Sequence, residues 1–255
     1  GVPTLIQEQN VVPGITNKIL SRFVTKIAAG TEEAVRLFPA EKTTFTGNPI
    51  RREVLTARRE DGLKAYGFSA DKPVVLVSGG SRGARSLNRA MVGVLKEAQN
   101  HPEVQFLHAT GKAEYELQIE RMKDAGVHLE NAPHIQVKPY LYDMPQAMAM
   151  ADLAIFRAGA TGLAELTARG IPAILVPYPY AAENHQEHNA RACEEAGAAR
   201  MILDRELTSE RLGSVLMELF SEQGKLEKMA AASKNMGRPE AADTIAQIVL
   251  DMQKK

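Results

Sequence analysis

Glu165 lies four residues beyond Thr161, within a stretch running from Ala154 to Asn189. At that spacing it sits one helical turn further on, where its carboxylate can accept a hydrogen bond from a neighbouring hydroxyl. Just before it, Arg157-Ala158-Gly159-Ala160-Thr161-Gly162 follows a short apolar run at residues 153–156 and precedes an apolar-periodic segment over about residues 163–168. That order predicts a strand, a glycine turn and a helix start. A tight turn of this kind gathers free backbone N–H groups and the positive end of a helix dipole in one spot, a site for an anion such as a diphosphate. A first-turn carboxylate also complements the dipole with no ligand present, and the spacing leaves both readings open. His185 and His188 could begin a metal site, but no third ligand has suitable spacing, which favours a solvated pair. Cys193 is the single cysteine, set among Ala and Glu in a helical segment, and is expected to be a packed thiol.

The elements that must position these groups alternate along the chain. Residues 74–77 form a second apolar strand, followed by Ser78-Gly79-Gly80-Ser81-Arg82-Gly83-Ala84-Arg85 and a helix over residues 86–98. Ser81 and Ala84 occupy the second and third glycine places of G-x-G-x-x-G, and no acidic residue stands ~20 residues on to hold a ribose. Gly111-Lys112 is followed by Ala113, so no P-loop is present either, and NAD- and ATP-dependent chemistry is disfavoured. Further βα units are predicted at residues 104–108 with 113–125 and at 135–137 with 144–150, and Gly170 closes a helix before an apolar strand at 171–176. A helix over 184–196, a strand at 199–203 and three closing helices at 208–219, 224–236 and 239–253 complete the pattern. Such alternation predicts an α/β fold with a parallel sheet covered on both faces, which binds ligands at the carboxyl ends of its strands. Tyr140-Leu141 stands at one such end.

Upstream, a strand ending at residues 4–6 leads to Gln7-Glu8-Gln9-Asn10, and a helix is predicted over residues 15–27. Ile15, Ile19, Phe23 and Ile27 would share one face, with Lys18, Arg22 and Lys26 on a neighbouring stripe. That stripe suits either a solvated face packed on its own domain or anionic lipid headgroups, each cation contributing on the order of 1 kcal/mol. A short strand at 43–46 is broken by Gly47-Asn48-Pro49-Ile50-Arg51, the best candidate linker. The 255 residues carry 31 Lys plus Arg against 31 Asp plus Glu, a balance that points away from nucleic acid. No apolar run approaches the ~18 residues of a membrane span and no signal peptide is visible, so a cytoplasmic location is expected. The chain begins with Gly1, inside a predicted strand, which suggests a fragment.

Arg157-Ala158-Gly159-Ala160, Ala164-Glu165-Leu166, the run from Gly170 to Pro177, and Gln186 with Asn189-Ala190 closely resemble the donor-sugar site of the MurG-type glycosyltransferases, which add N-acetylglucosamine to lipid I. The loop Gly79-Gly80-Ser81-Arg82-Gly83-Ala84-Arg85, the Gly47-Asn48-Pro49 segment and Glu8-Gln9-Asn10 agree with the same family, in the right order over essentially the full chain. The resemblance implies a GT-B fold: residues 1–48 as a remnant of an acceptor domain, 49–237 as a Rossmann-like donor-binding domain, and 238–255 as a helix returning to the acceptor domain. It implies inverting transfer of N-acetylglucosamine from UDP-N-acetylglucosamine to the C4 hydroxyl of undecaprenyl-diphospho-MurNAc-pentapeptide, giving lipid II for peptidoglycan. That work belongs to cell wall biogenesis, cell shape and cell division, on the inner face of the cell membrane, with possible cell-wall and division complexes as partners.

By the same resemblance Asn10 faces the transferred sugar, Arg51 faces the cleft, Ser81 lies by the donor phosphates and the backbone of Leu141 reads uracil. Ala160, Thr161, Gly162, Leu163 and Ala164 join Glu165 and Gln186 in donor binding, Glu165 taking the ribose hydroxyls, while Lys18, Arg22 and Lys26 face the membrane. No cofactor is implied. With no Asp-x-Asp motif in the chain, helix dipoles and Arg51 are expected to stabilise departing UDP. Two departures stand out: Gln7 replaces the family's usual histidine, and Thr161-Gly162 departs from relatives that carry Ser or Thr at the second place, which calls one side-chain hydroxyl contact into question and leaves the backbone N–H. The presumed catalytic base is a histidine upstream of Gly1, so no catalytic residue is assigned and the chain alone is expected to be inactive; Glu8 is the first candidate if a base lies within it. Rival expectations are a nucleotide-sugar epimerase or another lipid-linked sugar transferase on the same fold, and a donor-binding subunit that needs a separate acceptor subunit.

Overall fold

The structure is a computed structural model and describes residues 1–80 and 83–253. Three short strands, β1 (Leu5–Glu8), β2 (Lys26–Ala29) and β3 (Thr43–Phe45), form a parallel sheet in that order. Crossovers carry α1 (Ile15–Leu20) and α2 (Glu32–Val35), and Val24, Ile27, Phe38 and Ile6 make a small core beneath. The helix predicted over residues 15–27 therefore stops at Leu20, and Lys26 opens a strand instead of continuing the basic stripe. The physical reason is pairing: Lys26 N–H donates to Thr4 O and Ile27 N–H to Lys42 O, at 3.1 and 2.9 Å, so the segment is held between two strands. Ile27 is buried in that sheet and merely happens to fall at helical spacing from Phe23.

Two unforeseen short helices, α3 (Arg52–Thr56) and α4 (Arg59–Tyr66), follow the linker and bury Val54 and Leu63 against the larger sheet. Arg59 fastens α4 with bonds of 3.1 and 2.9 Å to the two oxygens of Asp152, and Asp152 accepts a third from Val74 N–H. Gly47, at φ +77°, lies where a Cβ would sit 2.3 Å from Arg238 Cβ, so the chain can leave the small sheet there only as glycine.

The larger sheet contains β4 (Val74–Ser78), β5 (Gln105–Ala109), β6 (Ile135–Lys138), β7 (Leu153–Phe156), β8 (Ala173–Leu175) and β9 (Ala199–Met201). All pairs are parallel, in the order β6-β5-β4-β7-β8-β9. Between them run α5 (Arg85–Ala98), α6 (Tyr115–Asp124), α7 (Met144–Met150), α8 (Ala160–Arg169) and α9 (His185–Glu195). The chain closes with α10 (Ser209–Ser221), α11 (Lys225–Met236) and α12 (Ala241–Gln253). Strand residues divide by parity: Val75, Val77, Leu153 and Ile155 enter one core, Val74, Leu76, Ala154 and Phe156 the other. Burial on both faces explains why these strands are continuous apolar runs. The order reverses between β4 and β7, which opens a crevice beyond their carboxyl ends.

A buried polar cluster braces that end of the sheet. Asn88 of α5 donates to Thr110 O at 2.9 Å, His108 Nε2 lies 3.1 Å from Asn88 Oδ1, and Gln118 of α6 donates to Asn88 O at 2.7 Å. Oδ1 only accepts, so Nε2 carries a proton, and Nδ1, buried without a partner, is left unprotonated. Burial pushes His108 down from 6.5 to about 3. A histidine kept neutral in the fold gives its full stabilisation above 6.5 and loses it as pH falls from there towards 3. The stability of the protein is expected to fall by up to about 1.4 kcal/mol per pH unit from this residue below that point. Urea unfolding at several pH values checks this: His108→Gln should lower stability at neutral pH yet flatten the acid slope, and parallel slopes for the two proteins would contradict it.

Candidate functional site

Beyond the carboxyl ends of β4 and β7 lies a cleft of about 1170 Å³. Two helices begin there. Gly83 and Ala84 lead into α5, and Arg157–Gly159 lead into α8, which starts at Ala160, three residues earlier than predicted. Gly159 is the extended N-cap, so Ala160, Thr161 and Gly162 form the first helical turn rather than a loop. Neither N-cap, Ala84 or Gly159, makes a side-chain cap bond. Helix geometry leaves first-turn N–H groups without an intrahelical acceptor, so both dipoles offer uncapped donors to the same crevice. Gly83 makes the close approach possible, since at φ +77° a Cβ would lie 2.1 Å from Thr110 O.

The cleft's charges are arranged in pairs. Glu165 points from α8 into it with only 6% of its side chain exposed, and Arg51 Nε donates to Glu165 Oε1 at 2.8 Å. This bond lifts the Arg51 guanidinium above its ordinary value against the opposing effect of burial. Arg157 is spent on structure: its terminal nitrogens donate to Asp204 Oδ1, Val176 O and Pro177 O and to Ser86 Oγ, tying the ends of β7 and β8 to α5. Gln186 Oε1 accepts from Tyr178 N–H at 3.0 Å, fixing the loop after β8 against the start of α9. At the other end Tyr140 and Tyr142 meet edge to face, with Lys112 Nζ 5.3 and 5.1 Å from their ring centres.

Of the residues singled out by sequence, Arg51, Leu141, Thr161, Gly162, Glu165 and Gln186 line this one cleft. Ser81 lies outside the described residues. Ala160, Leu163 and Ala164 line a second crevice of about 410 Å³, toward the small sheet, and Leu163 is buried in the core. Asn10 is outside the large cleft's lining; its side chain donates to Glu8 and accepts from Asn189. Glu8 is buried, and although burial acts to raise it, donors from the N–H groups of Asn10 and Gly14 and the side chains of Asn17 and Asn10 hold it below the ordinary carboxylate range. A carboxylate so saturated is a weaker base than a free one. Burial pushes the Cys193 thiol up to about 12, as befits a packed thiol. Among the described residues no group of three or more His, Cys, Asp or Glu is placed to hold a metal ion.

Sequence reasoning missed Asp204, Ser86 and the Lys112–Tyr142 contact. The first two gave no local signal, being 47 and 71 residues from Arg157. The aromatic pair did, as two tyrosines at alternate positions just after a predicted strand.

Comparison with known proteins shows the family and the fold. Residues 74–245, which contain the whole six-stranded sheet and both helix starts, match the glycosyltransferase family 28 C-terminal domain. Two proteins named UDP-N-acetylglucosamine–N-acetylmuramyl-(pentapeptide) pyrophosphoryl-undecaprenol N-acetylglucosamine transferase are among the relatives. That of Desulforamulus reducens is 48% identical over 98% of this chain and 67% of its own length, and that of Halothermothrix orenii 46% identical over 99% and 69%. The crystal structure of Acinetobacter baumannii MurG superposes with a TM-score of 0.76 at 31% identity, covering 100% of this chain and 68% of that one. The fold is thus that of a GT-B glycosyltransferase, and the chain belongs to the MurG family of N-acetylglucosamine transferases.

Proposed function

We propose that the protein binds UDP-N-acetylglucosamine in the large cleft and acts in transferring its sugar to undecaprenyl-diphospho-MurNAc-pentapeptide, as the names of its relatives describe. The observation that carries this reading is the convergence of two uncapped helix starts and one buried carboxylate on a single cleft. The diphosphate belongs at the first turns of α5 and α8, where N–H groups and dipoles face an anion. Glu165, one turn along α8, presents two oxygens to the two ribose hydroxyls. Leu141 and the Tyr140–Tyr142 pair form the wall against which uracil lies. Gln186, held beside Gly159, is the side chain we assign to the sugar.

Direct displacement at the anomeric carbon by the acceptor's C4 hydroxyl inverts configuration and leaves charge on UDP. The two dipoles and Arg51 stabilise that charge where it develops. The acceptor hydroxyl needs a base, and none is assigned among these residues; a missing base costs on the order of 10² to 10⁴ in rate. We assign residues 1–48 to the acceptor side, 49–237 to donor binding and 238–255 to a returning helix.

The acceptor's lipid requires contact with a membrane surface, and α1 with the turn after it supplies one. Ile15, Ile19 and Phe23 are 66%, 56% and 77% exposed, with Lys18 and Arg22 exposed beside them. No helix among the described residues is long and apolar enough to cross a membrane. An apolar patch rimmed by cations suits an interfacial, peripheral contact. Lys26, displaced into β2, is left out of it.

Two outcomes are expected. Glu165→Ala should weaken UDP binding roughly 10- to 150-fold, from the ~1.5 to 3 kcal/mol of hydrogen bonds to a charged group, and should abolish most of the preference for UDP over 2′-deoxy-UDP. Calorimetry with both nucleotides decides it; equal discrimination by the two proteins would place the ribose elsewhere. In co-sedimentation with anionic vesicles, Ile19→Ser with Phe23→Ser should remove most of the bound fraction, whereas Lys26→Ala should change little. A larger loss from Lys26→Ala than from the apolar pair would sink the patch.

A further inference from the structure

We propose that Arg51 is an exchange residue: without nucleotide its guanidinium neutralises Glu165, and a diphosphate draws it away, freeing the carboxylate for the ribose. This deepens, and rests on, the reading of the cleft as a nucleoside-diphosphate site. The two partners are unequal in freedom. Glu165 is fixed within α8 and 6% exposed, whereas Arg51 extends from the N-cap of α3 and its side chain is 51% exposed. A carboxylate that buried is costly without a partner, which Arg51 supplies through Nε at 2.8 Å. A single bond from a half-exposed guanidinium is nonetheless weak, because water screens it.

Both side chains line the cleft into which the first turns of α5 and α8 open. A diphosphate seated at those turns carries more charge than one carboxylate and presents oxygens that match the guanidinium fork two at a time. Arg51 therefore gains by moving, and Glu165 loses its partner at the moment two ribose hydroxyls arrive to replace it. A nucleoside without phosphates gives Arg51 no such destination and must compete with it for Glu165. Arg51 thus makes ribose recognition conditional on the diphosphate, beyond its own contact with phosphate.

Calorimetry with UDP and with uridine tests this on the whole chain. Arg51→Gln should weaken UDP roughly 10- to 150-fold while strengthening uridine about 2- to 5-fold, because the competitor for Glu165 is gone. Arg51→Lys, which keeps a cation able to reach both partners, should return both affinities toward those of the unmodified protein. Uridine binding unchanged or weakened in Arg51→Gln, with UDP weakened, would overturn the exchange and leave the nucleotide site standing. An unmodified protein that binds neither UDP nor uridine would instead remove the site and the exchange together. A measurement on the unmodified protein guards against misfolding of the variants. Saturating uridine should release Arg51 and speed the exchange of its Nε–H with water in NMR spectra; an unchanged Nε–H signal would mean that Arg51 and the ribose share Glu165.

Discussion

A parallel sheet covered by helices on both faces leaves one place where backbone donors can meet a ligand: the crevice beyond the carboxyl ends of the two strands where the order reverses. Here those strands are β4 and β7, and each is followed, after a segment that contains glycine, by a helix with no side-chain cap. The rest of the cleft depends on this constraint. Gly83 must be glycine because Thr110 O leaves no room for a Cβ, and the Asn88–His108–Gln118 cluster exists to hold Thr110 and α5 in that relation. Arg157 pins the strand ends to α5 through Ser86 and Asp204, so the two helix starts keep a fixed separation. Fixed donors cost no reorganisation when charge develops on a leaving group.

The small sheet is tied to the same region by few, specific bonds. Asn189 of α9 accepts from Val11 N–H at 3.0 Å and donates to Asn10, and Glu183 accepts from Ile15 N–H and pairs with Lys18 at 3.3 Å. Glu183 and Asn184 both hold positive φ, 48° and 56°, on the segment between the loop of Tyr178 and the helix of Gln186. Left-handed geometry at two successive non-glycine residues is a strain that persists because both ends of the segment are anchored. The patch on α1 and the Gln186 end of the cleft are therefore linked through this short, strained turn.

Much of this was legible in the chain. Fully buried strands are continuous apolar runs, and residues 74–77 and 153–156 stood out as such; the glycines after them pointed to the end of the sheet where the cleft lies. What periodicity could not give was the end of α1, because Ile27 satisfies a four-residue spacing by chance while its burial comes from strand pairing 16 residues downstream at Thr43. Gly162 obscured the start of α8 in a similar way: a weak helix former in the first turn looks like loop, and only the packing of Leu163 and Leu166 decides otherwise. Resemblance put both Arg51 and Glu165 in the cleft, but the pairing that sets its electrostatics was out of reach for a different reason. Arg51 and Glu165 are 114 residues apart, and nothing in either neighbourhood announces the other.

The central claim is that the two helix starts form one diphosphate site with Glu165 beside it. A crystal structure of the chain grown with UDP tests that most directly. The account predicts density for the diphosphate between the Gly79–Gly83 loop and the first turn of α8, with the ribose hydroxyls within hydrogen-bond reach of Glu165. Density for UDP in the crevice beside Cys193 and Ala164, with the helix starts left to solvent, would contradict it.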